Sequence, residues 1–299
     1  MRGERSTYMN VQEVAEQNRI FYTRAGSRVY GLDTVTSDED FRGVFIGLPD
    51  NLIGLHPVEH CELSGDNMIF ELRKFIVLAK DCNPNIIELL YMDESDVLLQ
   101  NEWWLRVKSR RDLFLSKRAK FTFSGYAMAQ LKKIRGHNRW LNDPQPVATP
   151  EPAKYLKIKH IDGLGHREVF DQVAYETALK QWRQYWEWKN NRNEKRAALE
   201  EEHGYDTKHA MHLIRLLRMG VEIMRGEGVI VKRPDRDDLL SIRAGKLSYA
   251  ELVAMAEEYD RQLDNLYQTS DLPHAPDSDK INLLLLEIYR DYWAQHELW

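Results

Sequence analysis

Apolar positions fall into two regimes along the chain. Up to about residue 100 they come in short runs separated by turn residues. Residues 10–24 read as a helix leading into a strand that carries Ile20, Phe21 and Tyr22. Residues 37–47 read as a strand whose acids sit at its start, and residues 49–57 as a loop. Further strand candidates lie at 58–63 and 67–70. Leu72, Phe75, Ile76 and Ala79 repeat at helical spacing and predict a helix over 71–80. Asn83-Pro84 stops it, and a second short helix carries Ile86 to Leu90.

Beyond about residue 115 the apolar period becomes helical over long stretches: 125–140, 167–202, 207–225 and 248–266. Strand-like patches remain only at 153–161 and 229–232, and proline-rich connectors at 142–152 and 272–276. The pattern predicts an α+β protein, with a small sheet and its helices over residues 1–115 and a mainly helical part over 116–299.

Composition narrows the class. Basic and acidic side chains number 42 and 47, a net charge of −5. The longest apolar run, 281–286, is far short of the ~18 residues of a membrane span. No apolar segment follows the opening Met-Arg-Gly-Glu-Arg-Ser, so nothing there marks export. Cys61 and Cys82 could pair but match no metal-binding spacing, and reduced thiols in a cytoplasm are the simpler expectation. Membrane protein, secreted scaffold and zinc finger are set aside. The overall charge conceals one asymmetry. Residues 103–140 hold eleven Lys or Arg against the single acid Asp112, net +10, a candidate footprint for a polyanion.

The sharpest chemical signal is Gly26-Ser27 followed, ten residues on, by Asp38-x-Asp40. Carboxylates at i and i+2 of a strand share one face of the sheet. Hard cations such as Mg²⁺ take oxygen ligands of this kind, and a metal pair can activate a hydroxyl and stabilise a leaving pyrophosphate. A Gly-Ser turn just upstream offers close backbone approach and a hydroxyl for a triphosphate. A third carboxylate would complete the site. Asp66, expected on a neighbouring strand, is preferred to Glu71, which stands at a helix start where capping is the plainer role. Standing alone, an Asp-x-Asp is most often an acidic turn; the upstream Gly-Ser and the strand behind it change that balance.

Gly26-Ser27-Arg28-x-Tyr30-Gly31-Leu32-x-Thr34-x-x-Ser37-Asp38-x-Asp40-x-Arg42-Gly43-Val44 resembles the signature of the DNA polymerase β-like nucleotidyltransferase superfamily. More narrowly it resembles the predicted nucleotidyltransferases of the RNA repair pathway polymerase-β family. Glu71-Leu72-Arg73-Lys74-Phe75, Asn83-Pro84-Asn85, Glu88-Leu89-Leu90, Ser124-Gly125-Tyr126-Ala127 and the block from Tyr205 to Leu216 extend the likeness over roughly residues 20–275. The resemblance implies a nucleotidyltransferase fold with a helical appendage and metal-dependent transfer of a nucleotide from an NTP. On that footing Asp38, Asp40 and Asp66 are the expected metal ligands and Glu71 the alternative third acid. Mg²⁺ is the expected metal, with Mn²⁺ as substitute, and ATP is the first NTP to consider.

On a helical wheel, Ala210, Ile214, Leu217, Val221 and Met224 form one apolar stripe of helix 207–225. Lys208, His212 and Arg215 line up opposite, where phosphates held at the Gly-Ser turn are a natural partner, although most such stripes are solvated faces. His209 sits beside the stripe and is expected to pack. Ser124, at the start of the predicted 125–140 helix, is a candidate phosphate or ribose contact, with an N-cap as its competing role. Arg28 belongs with the turn, while Arg42 could contact phosphate or pair with Asp38 or Asp40. Trp182, Tyr185, Trp186 and Trp188 favour helix–helix packing over base stacking. The expected activity is transfer of an NMP to an acceptor hydroxyl, with an RNA 3′ end first among acceptors. Adenylylation of a protein or small molecule is the alternative, and a non-catalytic RNA- or nucleotide-binding module the reading from another class.

Overall fold

A computed structural model describes residues 10–35, 37–55, 57–63, 67–161 and 165–298, with the side chain of Lys195 also outside the description. The front of the chain runs α1 (Val11–Gln17), β1 (Arg19–Ala25), β2 (Asp40–Phe45), α2 (Pro49–Ile53), β3 (His60–Glu62), β4 (Met68–Glu71) and α3 (Leu72–Lys80). It continues through α4 (Pro84–Ile87), a 3₁₀ turn (Glu88–Tyr91), β5 (Val97–Gln100) and α5 (Glu102–Lys108). Behind it come α6 (Arg118–Asn142), the hairpin β6 (Leu156–Ile161) and β7 (Gly165–Phe170), α7 (Gln172–Asn190) and α8 (Glu194–His203). The last helices are α9 (Thr207–Met224), α10 (Arg236–Arg243), α11 (Tyr249–Thr269) and α12 (Ser278–Gln295).

The five front strands form one mixed sheet in the order β3-β4-β2-β1-β5. β2 and β4 run parallel, and the other neighbours are antiparallel. Side chains alternate between its faces. Phe45 and Ile69 join Val14 and Ala15 of α1 on one side. Val44, Ile46 and Phe70 enter the main core on the other, together with α3, where Trp104 stacks on Phe21 at 4.0 Å. That core continues without interruption into the helical region. α9 is buried on nearly every side there, as a helix apolar almost all round must be. Cys61 and Cys82 lie in different clusters as free thiols.

The mixed α+β architecture with a helical C-terminal region is the one the apolar pattern predicts. Several boundaries differ. The expected 167–202 helix is a strand and two helices, because Asn191 to Asn193 interrupt it and Asn193 caps α8. The 229–232 patch forms no strand among the described residues, and 49–57 contains the short helix α2. α12, whose Ile281, Leu284, Leu285, Ile288 and Tyr292 are buried, folds back on α3 and α5 of the front part. No helix among the described residues is long and apolar enough to cross a membrane.

Candidate active site

β1 ends at Ala25, whose antiparallel partner is Asp40, the first residue of β2. The Gly26-Ser27 turn and Asp40 therefore meet at one end of the sheet. Gly26 has a positive φ of 71°, and a Cβ there would run into the Asp40 carboxylate. Glycine is required twice over, by backbone conformation and by space. The turn is closed by the Gly31 N–H on the Arg28 carbonyl and the Leu32 N–H on the Ser27 carbonyl, both 2.9 Å. Arg28 reaches across to the acidic segment, donating to the Ser37 carbonyl at 3.4 Å and lying 3.9 Å from Glu39. Asp38 is exposed and precedes the strand, which begins only at Asp40. Strand alternation thus does not put this pair on one face; the lead-in segment sets where Asp38 sits. Among the described residues neither Asp38 nor Asp40 makes a side-chain hydrogen bond or ion pair. Two carboxylates stand uncommitted beside a glycine turn.

The same loop is held from below. Tyr30 is buried and donates to Glu88 at 2.5 Å. The Arg215 guanidinium lies 3.6 Å from the Tyr30 ring centroid and 3.9 Å from Glu88. Arg215 also donates to His212 Nδ1 at 2.9 Å, so that imidazole is an acceptor and neutral. Burial, then the Arg215 charge, holds the His212 pKa down to about 3. Burial pushes the Glu88 carboxyl upward against the opposing pull of Arg215, Tyr30 and Arg42. Loop carbonyls are tied to the helical region as well. Arg236 donates to Gly31 at 2.5 Å, Arg243 to Leu32 at 2.9 Å, and the Arg233 backbone to Tyr30 at 3.2 Å.

Of the expected stripe on α9, Lys208 is exposed, His212 is half-buried and Arg215 is 3% exposed. Arg215 departs from the expected open stripe: it sits beneath the Gly-Ser loop and does not face an open cleft. Arg42 donates to the Phe41 carbonyl at 2.8 Å, and its charge acts on Glu88. Asp66 lies outside the described residues, but its chain neighbour Asn67 accepts from the Phe41 N–H at 3.0 Å, one residue from Asp40. Glu71 is fully buried at the junction of β4 and α3. It accepts from the Arg73 N–H at 2.7 Å, the Gly47 N–H at 3.2 Å and the Tyr289 hydroxyl at 2.7 Å. Burial raises its pKa. With its oxygens engaged by a helix start and by α12, Glu71 is a cap and not an open metal ligand. Ser124 does not open a helix. α6 begins at Arg118, which puts Ser124 in its second turn, donating to Asp260 of α11.

The buried Tyr30–Glu88 pair has only a faint trace in the sequence. The available signal was a lone acid inside the apolar run Ile86-Ile87-Glu88-Leu89-Leu90, which a buried partner must balance. Among the described residues no three His, Cys, Asp or Glu side chains converge as a metal cage. Asp38 and Asp40 fit a hard cation in donor type, and a third ligand would have to come from elsewhere.

The sequence profile of the RNA repair pathway DNA polymerase beta family matches residues 4–287. No curated protein matches the chain. Among solved structures, a nucleotidyltransferase-like protein from Exiguobacterium sibiricum 255-15 aligns at 11% identity and a TM-score of 0.26. The alignment covers 86% of this chain and 71% of that one.

Proposed function

Because the chain belongs to the RNA repair pathway DNA polymerase beta family, we propose that it transfers an NMP from an NTP to an acceptor hydroxyl, releasing pyrophosphate. The acceptor is an RNA 3′ end and ATP the first donor to consider. One observation carries the reading: the uncommitted carboxylates of Asp38 and Asp40 stand at a glycine turn that admits Asp40 only because residue 26 has no side chain. In this reading residues 1–115 carry the chemistry and the helical residues 116–299 wall the nucleotide cleft.

Gly26, Ser27 and Arg28 hold the triphosphate, the turn by close backbone approach and Ser27 by its hydroxyl. Asp38 and Asp40, with Asp66 and not Glu71 as the third acid, would hold Mg²⁺ or Mn²⁺. Such a metal supplies charge neutralisation on the phosphates and activation of the acceptor hydroxyl. In this reading Lys208 and His212 serve the phosphates from α9, while Arg215 steadies the loop from beneath and Arg42 acts through Glu88. No side-chain nucleophile is needed, since phosphoryl-type transfer rests on alignment and electrostatics.

The test supplies each α-labelled NTP with Mg²⁺ or Mn²⁺ and an RNA bearing a free or a blocked 3′ end. Label should enter only the free-ended RNA, and both EDTA and the Asp38→Ala/Asp40→Ala pair should abolish it while leaving the melting temperature near wild type. Full activity in the double variant overturns the mechanism. Label on protein in place of RNA overturns the acceptor.

A further inference from the structure

The basic stretch 103–140 is a net +10 in sequence, yet the fold neutralises most of it internally. Arg106 pairs with Asp291, Lys108 with Glu94, Arg110 with Glu287, Arg118 with Asp81, Lys120 with Asp264 and Arg135 with Glu257. Arg111 lies over the Tyr91 ring and Lys117 over that of Tyr267. Lys132, Lys133 and Arg139 are what remains, exposed and without an ion pair among the described residues. All three sit in the C-terminal half of α6.

A groove of about 850 Å³ opens beside that half-helix, between α6, α7, α8 and the start of α9. Lys132, Lys133, Arg192 and Arg196 line it together with two half-buried indoles, Trp140 and Trp188, whose rings are 5.1 Å apart. Its acids are largely engaged. Glu200 is held by His137 at 2.6 Å and Arg192 at 2.8 Å, and Asp206 caps α9 at the His209 N–H. Glu187 is the exposed acid at the rim. His209 also lines the groove, and His212 and Arg215 follow it at one-turn intervals toward Tyr30 and the Gly-Ser loop. From His209 to Arg215 the helix rises about 9 Å, little more than the span of one nucleotide. Lys133 is near enough to both His209 and His212 to disfavour their protonation, although Asp206 opposes it at His209.

We propose that this groove binds the unpaired nucleotides of a single-stranded polynucleotide, with phosphates on Lys132 and Lys133 and a base against Trp140 and Trp188. Residual cations, two half-buried indoles, one of them beneath the Arg192 guanidinium at 4.5 Å, and a cavity of nucleotide size coincide here, which is the chemistry of sequence-tolerant single-strand binding. The inference rests on the acceptor assignment above, to which it adds a place: the groove between α6, α7, α8 and the start of α9.

Binding is read by fluorescence anisotropy of a 5′-labelled 12-nucleotide single strand, without NTP, over a series of salt concentrations. Lys132→Glu/Lys133→Glu should weaken it at least ten-fold and reduce the salt slope by one to two, about one per lost phosphate contact. Trp188→Leu should weaken it about ten-fold with the slope unchanged. Arg135→Gln, a neighbouring cation already paired, should leave it unchanged. Single-stranded RNA binding more tightly than a duplex of the same sequence supports stacking in the groove. Equal affinity of the duplex, or wild-type affinity and slope in the folded double-lysine variant, overturns the proposal. The transferase reading fails separately. Wild type that binds the strand through these residues but moves no label from any NTP keeps the groove and loses the activity. Wild type that transfers label while the lysine variant binds RNA normally keeps the activity and loses the groove.

Discussion

Residue 26 is the position where conformation and chemistry are joined most tightly. Gly26 and Gly31 have nearly the same positive φ, 71° and 72°, so alanine at either site forces an L side chain into the left-handed region at about 1–2 kcal/mol. Their surroundings differ. A methyl at 31 meets Arg236 Cδ at an ordinary 3.4 Å, whereas one at 26 displaces the Asp40 carboxylate. Gly31→Ala should therefore lower the melting temperature with turnover almost unchanged. Gly26→Ala should lower it at least as far and reduce label transfer a hundred-fold or more. Melting curves beside single-turnover rates check this, and equal activity in the two variants would detach Asp40 from the reaction. That Gly26 matters was legible from its neighbours Ser27, Asp38 and Asp40. The collision was not, because pairing of Ala25 with Asp40 is a fact of sheet register. Glu71 shows the opposite case. Its place before a helical repeat already suggested a cap, and the fold adds the Tyr289 hydroxyl from 218 residues away, which no local pattern encodes.

At the scale of elements, α9 carries the connection between the helical region and the loop. Its period put Lys208, His212 and Arg215 on one line, and they do follow one line along the helix. Periodicity fixes an angle around an axis and not what covers it. Here the Gly-Ser loop covers the far end, so the line runs from an exposed lysine into a buried guanidinium against Tyr30 and Glu88. Arg215→Met removes the positive partner of a buried carboxyl and should destabilise by about 3 kcal/mol. Glu88→Gln keeps an acceptor for Tyr30 and should cost about 1 kcal/mol. The double variant should be more stable than the sum of the two losses by at least about 1 kcal/mol, since each single change strands the other group. Urea unfolding of the four proteins measures the coupling. Strict additivity would mean that Arg215 and Glu88 do not act as a pair. Loosening of the loop should also raise KM for NTP in Arg215→Met more than it lowers kcat.

Across the whole molecule, front and back are bound together by groups that ionise, so stability should follow pH in a predictable window. His212 is neutral in the fold with a pKa near 3, held there by burial, by Arg215, His209 and Lys208 on its own helix and by Lys133 from α6. In the unfolded chain it titrates near 6.5. A group whose folded pKa is depressed in this way takes up its proton more readily when unfolded. Its contribution is complete above pH 6.5 and is lost as pH falls from there toward 3. Between pH 6.5 and 4.5 the loss from His212 alone is on the order of 2 kcal/mol. His209, lowered by burial in the same region, adds to it. His212→Gln can still accept from Arg215 and does not titrate, so its unfolding free energy should fall less steeply over those two units. The two curves should run parallel above pH 7. Paired carboxylates such as Asp235 and Glu200 protonate below that window, and the raised Glu71 and Glu88 carboxyls are common to both proteins, so the difference between the two curves isolates the histidine. Identical slopes for wild type and His212→Gln would mean that the imidazole is protonated in the folded protein. The donor to its Nδ1 would then have to be reassigned, and with it the link between α9 and the Gly-Ser loop.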